Sequence, residues 1–489
     1  MKNHLFTIVM SLFITLSSAT ASAQNGTNNW PALPLLEINT EGGVAPTATV
    51  VSPPEDCFGM SIISEYVPGR LTISLNNHIV YDSGDYEKGT SGIKIKIRGN
   101  TSGVALEQHP YKLKLSKKAD LLNTAKSHKS KDWALLSLFE WNRGMKNEES
   151  NILFFTGLAV CQALEFPWEP SARFVNVTLN GKYCGIYRLT ETIERDDNRI
   201  ATSKTGFIIE NDAYWWKEGE VWFKTERQHS AMGYTFKYPD PDDLTNEQKE
   251  AITAYMNTAE NAIFTNEGMA DFIDIESFAR WILAHDILGS SDSAGSNMYL
   301  YKNSLGVDEP SDDKLKMATL WDFDSSFLRN GAGWSLQHIH PVFYYPELFK
   351  NAEFVDKYKE LYNKYKDTIY GYVENSLNEL ISTDGEAFEQ SRLLHRQTYP
   401  NESRNTLNEQ IEDILTHLRV RLDELAPMMA ELQSPETSVG CIATGYAGTV
   451  KRTDLYGRNV TATAWHNLPT GIYIEQHTDG TTTKRIKNR

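Results

Sequence analysis

Ile93-Lys94-Ile95-Lys96-Ile97-Arg98 and Tyr111-Lys112-Leu113-Lys114-Leu115 are the two runs on which the reading of this chain turns. In each, apolar and basic residues alternate with period two, which in an extended strand sends the apolar side chains to one face and the cations to the other. The runs are joined through Gly99-Asn100-Thr101-Ser102-Gly103, so they predict neighbouring strands with one core face and one basic face. A turn rich in Gly and small polar residues also exposes backbone N–H groups to phosphate, and a strand lysine shortly after it can reach the same anion. Its spacing is neither a P-loop nor a protein-kinase Gly-rich loop, and a solvated strand face accounts for the same pattern.

Upstream, Gln24 to about Lys88 is strand-like, with Leu36-Glu37-Ile38-Asn39-Thr40 and Leu71-Thr72-Ile73-Ser74-Leu75 separated by Gly-Gly, Pro-Pro and Asn-Asn turns. This predicts a β-rich lead-in over 24–92. Downstream, Asn151 to Leu164 reads as a helix, and Phe174 to Leu189 as a β-hairpin on Asn180-Gly181. Helical periodicity returns at Asn246 to Phe264, Ile275 to Leu288, Phe354 to Ile381 and Leu407 to Leu432. Strands are expected at Met298 to Tyr301 and Lys316 to Leu320. After Gln433-Ser434-Pro435 the texture changes to short β runs with Gly and Thr, a module of about 55 residues that would be marginal alone. The fold class is therefore α+β, with a main domain over 93–432 and a small β module over 434–489.

The 489 residues are 40% hydrophobic and 11% aromatic, which suits a folded globular protein. Net charge is −16, from 64 acidic against 48 basic residues, so the average surface repels phosphate backbones and a general nucleic-acid binder is excluded. Residues 1–23 carry Lys2, an apolar run from Leu5 to Leu16 and Ala21-Ser22-Ala23, the layout of a cleaved secretory signal. An exported protein is expected, periplasmic, surface-bound or extracellular, without a membrane-spanning segment. Cys57, Cys161, Cys184 and Cys441 lack zinc-site spacing, and the sequence leaves disulfides and free thiols equally open.

Two stretches carry candidate chemistry. Asp292-Ser293-Ala294-Gly295-Ser296-Asn297 spaces an Asp and an Asn as protein kinases space a catalytic base and a metal-binding amide. Turn formers of this composition also make ordinary loops. In Trp321-Asp322-Phe323-Asp324 two carboxylates two residues apart share a face of extended chain, roughly 6 to 7 Å between Cα atoms. A Mg²⁺ between them would remove their repulsion, and the segment echoes the kinase Asp-Phe-Gly element with Asp324 in place of Gly. A capped polar strand end is the alternative. The charge run Thr190 to Arg199 reads equally as a metal or nucleotide contact and as an ion-paired turn. His338 and His340 share a strand face but lack a third ligand, which favours packing histidines.

In this order, Ile97-Arg98-Gly99-Asn100, Pro110 to Leu115, Lys118 to Leu122, Trp133 to Leu136, Arg173-Phe174-Val175, Leu179-Asn180-Gly181, Glu191, Glu194-Arg195-Asp196, the Asp292 loop and Trp321 to Asp324 resemble the spore-coat protein H (CotH) kinase family. The resemblance spans about Leu36 to Leu425. It implies an atypical protein-kinase-like fold that transfers a phosphoryl group from ATP to Ser or Thr hydroxyls of secreted or surface proteins. It further implies Asp292 as catalytic Asp, Asn297 and Asp322 as metal ligands with Asp324 a second candidate, and Lys114, or Lys112, as the phosphate-pairing lysine beside Arg98. The cofactors implied are ATP and Mg, with Mn as the alternative. One departure stands out: Ser150-Asn151 occupies a position where relatives carry Arg-Asn. An inactive kinase-like surface protein, binding or structural, is the other functional class. The tail from Ser434 is similar to sorting domains of the type IX secretion route of Bacteroidota, through Asp454 to Arg458, Leu468 to Ile474 and the basic Lys484 to Arg489, which implies the secretion machinery as a partner.

Overall fold

Seven strands, gathered from both sides of the 93–117 stretch, close into a ring in the computed structural model. The structure describes residues 33–57, 59–124, 126–141, 149–218, 221–228, 230–290, 297–305, 313–327, 343–402, 404–435, 449–454, 458–460, 467–477 and 482–487. The chain forms two compact units, Met1–Gln433 and Ser434–Arg489. In the first, the ring strands are β1 (Leu35–Thr40), β2 (Val67–Leu75), β3 (Ile93–Ile97), β4 (Tyr111–Ala119), β5 (Ser130–Ser137), β6 (Ala172–Leu179) and β7 (Lys182–Glu191). They pair in the order β1-β6-β7-β5-β4-β3-β2, and β2 returns to β1, so the sheet is a barrel. The β1–β6 pairing is parallel and the rest are antiparallel.

The alternating runs supply the staves. Ile93, Ile95, Ile97, Leu113 and Leu115 point inward with Leu36, Ile38, Leu71, Ile73, Trp133, Val175 and Leu189, all buried in one apolar core. The β6–β7 hairpin turns on Asn180 (φ 52°) and Gly181 (φ 75°), the two left-handed residues that a tight hairpin turn matching strand twist requires. Within the β-rich stretch expected over 24–92, Thr49–Val51 pairs with Ser61–Ile63 apart from the ring and His78–Asp82 pairs with β2 outside it, whereas β1 and β2 are staves of the barrel itself. The cause is long-range, since β1 lies parallel to a strand some 140 residues later, which local patterning cannot reveal.

A second sheet holds β8 (Phe207–Asp212), β9 (Trp222–Phe223), β10 (Gly233–Tyr238), β11 (Met298–Lys302) and β12 (Lys316–Met317), in the order β9-β10-β8-β11-β12. Around it lie α1 (Leu153–Ala163), α2 (Asn246–Thr265), α3 (Ile275–Leu288), α4 (Ala352–Tyr365), α5 (Ile369–Leu380), α6 (Glu386–Thr398) and α7 (Leu407–Glu431), which share the main apolar core with it. Capping boxes start α2 (Thr245, Gln248) and α7 (Thr406, Glu409), and Asp274 caps α3. The helix expected over 354–381 is instead two, α4 and α5. Thr368 between them turns its hydroxyl onto the Tyr365 carbonyl (3.2 Å), a local bond that competes with helical continuation.

The strand expected over 316–320 is also shorter. Its ladder covers Lys316–Met317, Ala318 adds a bond to the Tyr299 carbonyl (2.8 Å), and Asp322 then adopts left-handed backbone (φ 65°). In the second unit, Thr449–Asp454, Gly471–His477 and Thr482–Lys487 form an antiparallel three-stranded sheet, with Arg452 paired to Glu475 across it. Cys57, Cys161 and Cys184 are free thiols. Cys441, residues 1–23, where a leader is expected, and His338 and His340 lie outside the described residues. Among the described residues no helix is long and apolar enough to cross a membrane.

Candidate active site

Where the outward face of the barrel meets the second sheet, cations and carboxylates converge. On the barrel side Lys94 lies opposite Lys114, and Lys96 opposite Lys112, as the antiparallel register of two alternating strands demands. Lys112 bonds Glu194 (3.2 Å) and Asp132 (3.4 Å). Burial works against its ammonium, but the two carboxylates overcome it and hold the group above the ordinary lysine range. Lys114, two residues on, is exposed and has no ion pair among the described residues. Lys96 is half-buried over the Tyr66 ring (4.8 Å), and burial together with the Lys112 charge lowers its pKa. Arg98 stacks its guanidinium over Trp321 (5.6 Å). Burial disfavours that charge, while Tyr299, Asp322 and Glu210 support it.

From the opposite side, β8 contributes Glu210 and Asp212, neighbours on one face of the strand. Glu210 accepts from Lys237 of β10 (2.9 Å) and from the Asn297 backbone N–H (3.2 Å), and so ties the start of β11 to the sheet. Asn297 is itself left-handed (φ 60°). Asp212 accepts from the Tyr214 N–H (2.7 Å) and the Thr235 hydroxyl (3.4 Å). Burial, then the Glu210 charge, push its carboxyl up to about 7.

The Trp321-to-Asp324 segment is seated by aromatic packing. Trp321 and Phe323 are buried, each 5.7 Å from the Phe154 ring of α1, while Asp322 and Asp324 alternate outward, half-exposed. Gly157 of α1 has to be glycine, because a Cβ there would lie 2.1 Å from the Phe323 ring. Burial raises the Asp322 carboxyl, and Arg98, Arg188 and hydrogen bonds from Asp324 oppose the rise. Arg188 reaches this segment from β7. It is buried, donates to the Ser137 carbonyl (2.5 Å), lies 5.6 Å from the Phe154 ring, and is lowered by burial to about 9 against the pull of Asp322 and Asp324.

Of the residues singled out from sequence, Arg98, Asn297 and Asp322 come together: Glu210 bonds Asn297, and Glu210 and Asp322 both act on Arg98. Lys112 borders the same seam through Lys96. Lys114 is not drawn into it, and Asp292 lies outside the described residues. The 190–199 run is largely ion-paired within the fold, with Glu194 on Lys112, Asp196 on Lys118 and Glu191 3.5 Å from the buried Arg199. Ser150-Asn151 is not part of this seam. The Asn151 amide is instead held by Arg392 (3.3 Å) and Gln410 (2.9 Å) from the C-terminal helices.

Sequence reasoning missed Glu210, Lys237 and Arg188. A signal existed for the first: Phe207-Ile208-Ile209-Glu210-Asn211-Asp212 is a strand buried along its whole length, yet half of it is polar. Such groups persist in a core only when partnered. Among the described residues no three of His, Cys, Asp or Glu converge as a ready-made metal cage. Asp322 and Asn297 carry hard oxygen donors, the chemistry that Mg²⁺ takes alongside waters and phosphate.

A closed barrel facing an antiparallel sheet and helices across one ionisable seam defines an α+β protein. The CotH kinase protein family model matches residues 95–425, from within β3 to within α7, and the chain belongs to that family. No curated protein matches the chain.

Proposed function

We propose that this protein is an exported kinase that transfers the γ-phosphoryl group of ATP to Ser or Thr hydroxyls of secreted or surface proteins. The observation that carries the reading is the meeting of Arg98, Asn297 and Asp322 at one seam, in a chain of a kinase family. Phosphoryl transfer asks a protein for positioning and charge neutralisation rather than covalent help, and an ionic seam supplies both. Asp322 and Asn297 would hold Mg²⁺, or Mn²⁺, with Asp324 as a further oxygen donor. Bound there, the ion would neutralise charge on the transferring phosphate.

Asp292, five positions before Asn297, orients and deprotonates the acceptor hydroxyl. The phosphate-pairing role falls to Lys112 rather than Lys114, because Lys112 alone of the two is fixed by a carboxylate, Glu194, as kinases fix theirs. Arg98 steadies Asp322 from the barrel side. The C-terminal unit serves as a sorting signal read by the secretion machinery.

The other functional class is an inactive kinase-like surface protein that binds a partner or serves a structural role. ATP turnover and autophosphorylation of the purified full chain, with and without Mg²⁺, decide between the two. Metal-dependent labelling that falls by at least about 100-fold in Asp322→Asn and Asp292→Asn, with folding intact, supports the kinase. Labelling that is absent in wild type or unchanged in both variants refutes it.

A further inference from the structure

The seam has a cation that no strand of the barrel provides. Lys217, in the short 3-10 turn Trp215–Lys217 after β8, extends toward the barrel and donates to Asn100 Oδ1 (2.5 Å) and Ser61 Oγ (3.0 Å). Asn100 belongs to the Gly99-to-Gly103 turn, and Tyr214 touches the same turn, its hydroxyl 3.2 Å from that of Thr101. Gly99 is left-handed (φ 95°), and a Cβ there would lie 2.3 Å from Ser102 Oγ, so the turn keeps its tight form only with glycine. Lys217 thus reaches the glycine turn from the second sheet, and Lys96 and Arg98 lead into it along β3 and just beyond.

These cations are poorly compensated. Lys96 and Lys217 are both half-buried, and among the described residues neither is ion-paired to a carboxylate; the acidic groups acting on them from farther off are Glu65 and Glu218 on Lys96, and Glu218, Asp212 and Glu210 on Lys217. Burial disfavours the charged form of each, and their mutual repulsion adds to it at Lys96. Lys112, by contrast, has two carboxylates at bonding distance. In a chain of net charge −16, two lysines acting on one another without a carboxylate at bonding distance are where an anion is attracted.

We propose that Lys217, with Lys96 and Arg98, forms a polyphosphate-binding site against the Gly99 turn, the second sheet thereby supplying a phosphate ligand of its own. This rests on the nucleotide reading above for the identity of the natural ligand, but not for the existence of the anion site. Lys217 then exchanges its bonds to Asn100 and Ser61 for phosphate oxygens, so binding draws the 3-10 turn and the glycine turn onto one ligand.

Titration calorimetry on the full chain tests it with two probes, tripolyphosphate and MgATP. Lys217→Met and Lys96→Met should each weaken tripolyphosphate binding at least tenfold, while Lys114→Met leaves it unchanged. Lys96→Met guards against a folding defect in the Lys217 variant, since the Lys96 side chain makes no hydrogen bond or ion pair among the described residues and rests only over the Tyr66 ring. Wild type that binds tripolyphosphate in this lysine-dependent way but ignores MgATP keeps the site and removes the nucleotide reading. Wild type that binds neither probe, or variants that bind both as wild type does, overturn the proposal. A Lys217→Met protein that is less stable yet binds tripolyphosphate normally reduces Lys217 to a strut and overturns it too.

Discussion

The ionic cluster around Arg392 and the seam, both among the described residues of the larger unit, are built differently. In the helical cluster Arg392 of α6 spreads its guanidinium over Glu402 (2.9 Å), Glu389 (3.3 Å), Asn151 (3.3 Å) and the Asn405 carbonyl, and Arg396 shares Glu402 (3.0 Å). Opposite charges meet at bonding distance, with further hydrogen bonds on the remaining atoms. At the seam, groups are held against their preferred state: the carboxyls of Asp322 and Asp212 are raised, the charges of Arg98, Lys96 and Lys217 disfavoured. A satisfied network stabilises one packing, whereas a strained one marks a place where another charge is expected.

The sharpest way to break this comparison is to remove Arg392. Arg392→Met leaves Glu402 and Glu389 buried or half-buried beside α6 and frees Asn151 at the start of α1. The expected loss is about 3 to 5 kcal/mol of stability, read by urea unfolding. A loss under about 1 kcal/mol would place the helical cluster with the seam instead. The departing residue, Ser150, is buried and accepts from the Ile152 N–H (3.1 Å), while its neighbour Asn151 ties the segment to the helical cluster.

The second test concerns protonation. The Asp212 carboxyl stands at about 7 in the folded chain against an ordinary 3.8, chiefly through burial. A raised folded pKa means the folded state binds the proton more tightly. Its contribution is therefore complete below about pH 4 and declines as pH rises, by up to about 1.4 kcal/mol per pH unit until about pH 7. Asp212→Asn should remove that portion of the slope in stability measured from pH 4 to 7. An unchanged slope would show that Asp212 ionises normally and that the seam is less strained than its geometry states.

How much of this was legible differs along the same lines. The staves were, because strict alternation of Ile with Lys leaves one face to the core, and the Asn180-Gly181 hairpin was, because the turn needs those residues. Barrel closure was not, because β1 finds β6 only through the folded chain. At the site, Asp322 and Asn297 stood out by type and order, yet the left-handed backbone of both, and the bond from Glu210 to Asn297, come from packing between distant segments. Arg188 sits in Ile186-Tyr187-Arg188-Leu189 and looks like one outward residue of a strand. Only the meeting of β7 with the Trp321 segment makes it buried and gives it carboxylates to face.

The smallest effect is expected where the sequence offered two equal choices. Lys112 and Lys114 are alternate residues of one strand, both outward, and each lies across from another lysine of β3. What separates them is Glu194, which belongs to a segment 82 residues later and reaches Lys112 alone, while Asp132, paired in register with Lys114, gives its carboxylate to Lys112 instead. An exposed lysine without such partners contributes within about 0.5 kcal/mol to stability. Lys114→Ala should accordingly leave both unfolding and ATP turnover within about twofold of wild type, whereas Lys112→Ala strands Glu194 and Asp132 beside each other and lowers both. Equal losses of turnover in the two variants would mean that ligand binding recruits Lys114 to the seam, and the division between strained and solvated faces of the barrel would have to be redrawn one residue further along β4.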